Sequence, residues 1–132
     1  MSLVERAETE TIDFHRFLEC WFAERTDDPG RLDAVLAKDF HIVSPQGEVT
    51  SRAEMIEEVE AAHGVYDDAE FSIRIEAFEP RYVAEEVCLA TYEEWRRVDS
   101  RSEGRVSTAL FREGGTPNGV EWVHVHETGM QV

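Results

Sequence analysis

The chain has 132 residues, 42% of them hydrophobic, and sets 29 acidic against 13 basic side chains for a formal charge of −16. That length fits one domain with a core of its own, so residues 1–132 are read as a single domain. The charge excludes nucleic acid, which needs a basic face, and anionic membrane surfaces. No apolar run is long enough for a membrane span.

Lys38 is the only lysine; every other basic residue is arginine. Lysine depletion beside an excess of acid is the pattern expected of a halophilic protein, in which concentrated salt screens self-repulsion and carboxylates keep the surface hydrated. The opening Met1-Ser-Leu-Val-Glu-Arg-Ala-Glu-Thr-Glu10 is too charged for a signal peptide, and a cytoplasmic location is expected. Cys20 and Cys88 lie in apolar stretches without CxxC spacing and read as buried free thiols.

In chain order, residues 5–25 read as a long amphipathic helix. Ala7, Thr11, Phe14, Leu18, Trp21 and Phe22 recur at the spacing of one helix face. Asp27-Asp28-Pro29-Gly30 breaks it. A short helix from Arg31 to Lys38 follows, then a strand from Phe40 to Ser44 and a turn at Pro45-Gln46-Gly47-Glu48. Ser51-Arg-Ala-Glu54 has the form of a capping box and starts a third helix reaching about His63, ended by Gly64. Everything beyond is strand: Phe71–Phe78, Val83–Val98, Arg105–Arg112 and a last strand around Trp122-Val-His-Val-His126. Asp99–Gly104 and Gly114–Gly119 are read as connecting loops. Helices first and long strands afterwards give an α+β fold. The economical build is a strongly curved antiparallel sheet wrapped around the N-terminal helix, a cone with a pocket inside.

This order, with Cys88-Leu-Ala-Thr-Tyr-Glu-Glu-Trp95, Ser107-Thr-Ala-Leu-Phe-Arg112 and Trp122-Val-His-Val-His-Glu-Thr-Gly129, resembles the nuclear transport factor 2-like superfamily of cystatin-like α+β cones. The last strands look like those of the calcium/calmodulin-dependent kinase II association domain and its SnoaL-like relatives. The resemblance implies the scaffold, and the scaffold hosts many activities. In the association domain the pocket carries arginines on the last three long strands; the matching positions here are Glu93, Ala109 and Glu127. Carboxylate binding therefore does not carry over. The ketosteroid isomerase branch implies an Asp before a Pro as general base, and Ser44-Pro45 stands there instead, so that mechanism does not carry over either.

Strand alternation gives the candidate site. Thr91, Glu93 and Trp95 share one face, as do Ser107, Ala109 and Phe111, and as do Val123, Val125 and Glu127. Placed on the concave side, Glu93 and Glu127 form a carboxylate pair among apolar walls, one an acid and the other a base. The remaining lining is expected from Phe14, Trp21, Thr91, Trp95, Ala109, Phe111 and Val125. This points to a pocket for a small apolar or cationic molecule and, if catalytic, to isomerase, cyclase or lyase chemistry without a cofactor. The alternative is a non-catalytic oligomerisation or ligand-sensing module. Trp122, His124 and His126 are expected on the outer face, as a homodimer surface; an isolated His-x-His pair is weak evidence for a metal, and none is assigned.

Salt adaptation predicts a higher melting midpoint in molar KCl than in dilute buffer. Equal midpoints in a thermal melt would remove the halophilic reading.

Overall fold

The computed structural model describes residues 1–130. Helix α1 spans Leu3–Phe22, opened by a capping box between Ser2 and Glu5. It stops three residues before the sequence expectation because Glu24 takes a left-handed φ of 60°. Helix α2 covers Gly30–Val35 and strand β1 covers Leu36–Val43. β1 starts ahead of the expected Phe40 because Leu36 already pairs with Trp122. Strand β2 (Val49–Ser51) leads into helix α3 (Arg52–Ala61), whose capping box uses Ser51 and Glu54 as the sequence pattern implied.

Strands β3 (Phe71–Val83), β4 (Val87–Val98), β5 (Arg101–Glu113) and β6 (Val120–Gly129) complete one six-stranded sheet of order β2-β1-β6-β5-β4-β3. All pairings are antiparallel except β1 with β6, which is parallel, so the sheet is mixed where a wholly antiparallel one was expected. The stretch read as a loop between β4 and β5 is mostly strand. Val98 pairs with Arg101, and only Asp99 and Ser100 form the turn, with Asp99 at φ 54°. β3 lies at the sheet edge, where Pro80 is tolerated, and it is kinked by a register shift at Ala77, φ 55°.

α1 lies in the concavity. Phe14, Leu18, Trp21 and Phe22 pack against Phe71, Cys88, Ala90, Phe111, Trp122 and Val125 in one continuous core. A buried carboxylate holds this packing together. Glu10 is fully enclosed and accepts hydrogen bonds from Trp122 Nε1 (2.9 Å), Arg31 Nη2 (2.6 Å) and Asn118 Nδ2 (3.1 Å). Burial pushes its carboxyl pKa up, against the Trp122 hydrogen bond and the Arg31 charge, which pull it down. One side chain thus ties α1 to α2, β6 and the β5–β6 loop. Among the described residues no helix is long and apolar enough to cross a membrane.

Glu10→Ala strands the Trp122 indole N–H and the Arg31 guanidinium. A loss of about 3–5 kcal/mol is expected from urea unfolding. A loss below about 1 kcal/mol would show that the network carries little of the packing.

Candidate functional site

Between α1, α3 and the inner face of the sheet lies a cavity of about 230 Å³. Its apolar wall comes from Phe14, Leu18, Phe22 and Phe40, with Met55 and Val125. The inner face of β4 and β5 grades from apolar to polar along the strands. Cross-strand partners share a face. Cys88 with Phe111 and Ala90 with Ala109 are followed by Tyr92 with Ser107, Glu94 with Arg105 and Arg96 with Glu103. Tyr92, Glu94, Arg96 and Arg105 line the cavity together with His15 from α1 and Glu127 from β6.

The polar groups form two linked clusters. His15 Nδ1 lies 2.7 Å from the Thr11 carbonyl and donates to it. His15 Nε2 lies 3.2 Å from Glu94 Oε1. Both ring nitrogens of His15 thus face oxygen acceptors. Arg96 Nε donates to the other Glu94 oxygen. Glu94 is 2% exposed. Burial alone would raise its pKa, but the His15, Arg96 and Arg105 charges outweigh it and hold the carboxyl well below the ordinary range. In the second cluster Arg105 Nη1 reaches both oxygens of Glu127 at 3.2 Å. Tyr92 stands between the clusters. Burial first, then the Glu94 and Glu127 charges, push its phenol pKa well up, so it remains a neutral hydroxyl donor. Ser107, opposite Tyr92, is fully buried, and its hydroxyl has no hydrogen-bond partner among the described residues.

The residues singled out from the sequence separate into three groups. Phe14, Val125 and Glu127 line the cavity. Trp21, Ala109 and Phe111 are buried but lie in the core outside the cavity wall. Trp21 instead donates from Nε1 to the Val59 carbonyl at 2.6 Å and packs on His63 at 4.1 Å. Thr91, Glu93 and Trp95 point to the outer face, and this corrects their expected orientation. Glu93 accepts from Trp95 Nε1 at 3.0 Å, and Thr91 accepts from Arg81 at 2.9 Å. Trp95 lies over Gly104, where a Cβ would come within 2.7 Å of the indole, and Arg74 covers it at 5.4 Å. Glu93 and Glu127 are thus on opposite faces of the sheet and form no pair. The expectation of a cationic ligand loses its basis with them, because the inward carboxylates already hold Arg96, Arg105 and His15.

The parity of β4 was recoverable. A two-residue turn pairs odd positions with even ones. With Ala109 and Phe111 inward on β5, the inward positions of β4 are then Cys88, Ala90, Tyr92 and Glu94. Reading Asp99–Gly104 as a loop hid that register. A second correction concerns β6. Leu110 pairs with His124 and Phe111 with Trp122, so Val123 is an extra residue in a bulge. The bulge turns Trp122 inward beside Val125, where it is 2% exposed, while His124 and His126 stay on the outer face. His15 of α1 is also buried, because the Thr11 carbonyl and Glu94 satisfy both its nitrogens.

Comparison with known proteins fits this geometry. The family model described as sucrose-6-phosphate phosphohydrolase C-terminal matches residues 7–131. Sucrose-phosphatase 1 of Nicotiana tabacum is 23% identical over 128 residues, covering 92% of this chain; the chain spans only 30% of that relative's length. Among solved structures, an NTF2-like protein from Pseudomonas aeruginosa superposes with a TM-score of 0.81 at 21% identity, covering 97% of this chain and 99% of its own. A candidate dehydratase of the NTF2-like family from Streptomyces avermitilis gives 0.72 at 17% identity over 98% and 97%. A candidate Ca/calmodulin-dependent kinase II association domain from Exiguobacterium sibiricum gives 0.66 at 13% over 96% and 95%. At these identities the structural likenesses show the fold, which is the NTF2-like cone read from the sequence. Matched over nearly its whole length, the chain belongs to the sucrose-6-phosphate phosphohydrolase C-terminal family.

Proposed function

We propose that the cone is a binding site for a small molecule with a compact apolar body and oxygen acceptors. One observation carries this reading: the cavity is walled by aliphatic and aromatic side chains yet floored by a buried polar network centred on Glu94. Such a mixture of apolar wall and few convergent polar groups is the usual make-up of a ligand pocket. Tyr92 supplies a neutral hydroxyl to a ligand oxygen, and the phenyl and indole walls take the apolar face. The curated relative is a sucrose-phosphatase, so hydroxylated rings belong in the ligand panel. The enzymatic form of this reading, a cofactor-independent isomerase or lyase, would use Glu127 as proton acceptor and Tyr92 as donor to the ligand oxygen.

A thermal-shift panel of small ketones, hydroxy acids and mono- and disaccharides tests it. Ligand at 100 times its Kd stabilises by about 2.7 kcal/mol. For the best ligand, Tyr92→Phe should weaken binding about fivefold, the loss of one hydrogen bond. Glu93→Gln, on the outer face, should leave it unchanged. No shift with any compound, or equal loss in both variants, would contradict the pocket reading.

A second reading is supported by the outer face. There His41 and His124 rings stand 4.8 Å apart, His124 Nδ1 is buried without a partner among the described residues, and Val106 is exposed. The likeness to a candidate association domain adds to it. Under this reading a second copy docks on His124, His126 and Val106, with Trp122 removed from the surface by the bulge. Sedimentation equilibrium should give a dimer that Val106→Glu converts to monomer. A monomeric parent protein would remove the dimer.

A further inference from the structure

We infer that the cone continues into an anion subsite built from Arg96, Arg101 and Arg105, so that its ligand carries a carboxylate or phosphate group. The inference rests on the pocket reading above and names the ligand class of that same site.

The end of the β4–β5 ribbon carries a second cavity of about 190 Å³, lined by Tyr66, Arg96, Val98, Arg101, Glu103 and Arg105. Arg96 and Arg105 line both this space and the cone, so the two adjoin. The register explains the clustering. Arg96, Val98, Arg101 and Arg105 occupy inward positions on one ladder, in which Arg96 faces Glu103 and Val98 faces Arg101.

Donors are in surplus there. Glu94 is already satisfied by His15 and Arg96, and Glu127 by Arg105. Arg96 commits only its Nε and Arg105 only its Nη1 to hydrogen bonds among the described residues. The remaining N–H donors of both forks are free for a ligand. Neither Arg101 nor Glu103, the sole carboxylate in the second lining, has an ion-pair partner among the described residues. In a chain of charge −16, anions are repelled from most of the surface. The second lining brings three arginines to one carboxylate, Glu103, and the unused N–H groups of their planar guanidinium forks suit carboxylate and phosphate oxygens. The apolar cone then takes the body of the same molecule.

The test compares cyclohexanol, cyclohexanecarboxylate and cyclohexyl phosphate by calorimetry on the full chain and on Arg101→Glu. Arg101 is exposed and its side chain makes no ion pair among the described residues, so its replacement should leave the fold intact, checked by the melting midpoint. At least one anion should bind about tenfold tighter than cyclohexanol, the worth of a charge-assisted contact. Arg101→Glu should cut that preference at least about fivefold without changing cyclohexanol binding. Which anion is tighter distinguishes a carboxylate from a phosphate ligand. Cyclohexanol binding with no preference for either anion, or a preference untouched by Arg101→Glu, overturns the subsite and leaves the pocket standing. Failure of all three compounds overturns both.

Discussion

Burying a carboxylate beneath α1 is costly unless donors surround it, and two such carboxylates decide how this helix sits in the sheet. Glu10, near the start of α1, draws Trp122, Arg31 and Asn118 to it. Glu94, on β4, draws His15 from the second half of the helix and Arg96 from its own strand. Each fixes the rotation of α1 about its axis, because a turn of one residue would remove Glu10 or His15 from its partners. The apolar stripe of Phe14, Leu18 and Phe22 supplies burial, which is not directional; the two polar anchors supply the direction.

The same constraint shapes the cavity. Where the sheet meets the helix closely, its inner residues are small or apolar: Cys88, Ala90, Ala109 and Phe111. Where the β4–β5 ribbon runs toward its turn, polar groups replace them, and every inward carboxylate lies near an arginine. The cavity takes its chemistry from this change along a single pair of strands. It is apolar at the helix and donor-rich at the ribbon end. The outer face has a separate logic. Trp95 covers Gly104 and is covered in turn by Arg74, which shields an aromatic side chain on a sheet face without burying it in the core.

Much of this was legible in the residues. The spacing of Phe14, Leu18, Trp21 and Phe22 specified the inward face of α1, and Ser51 with Glu54 specified the start of α3. The alternation of Ser107, Ala109 and Phe111 was read with the correct face. What misled was matching Glu93 to a pocket position of the association domain, which carried Thr91 and Trp95 inward with it. Parity is shared along a strand, so one misplaced residue turns all of them. The polar Glu94 and His15 resisted an inward reading because neither has a visible partner in its own sequence neighbourhood: they lie 79 positions apart.

By itself the sequence determined the order of helices and strands and the capped start of α3, because these follow from local periodicity and short-range caps, and the resemblance of its last strands pointed to the NTF2-like cone. Tertiary structure decided which residues face the cavity. That choice depends on the two-residue β4–β5 turn, on the bulge at Val123 that turns Trp122 inward, and on ion pairs between residues far apart in the chain. Cross-strand register and charge pairing are non-local, and a side chain's environment is fixed only when its distant partners arrive.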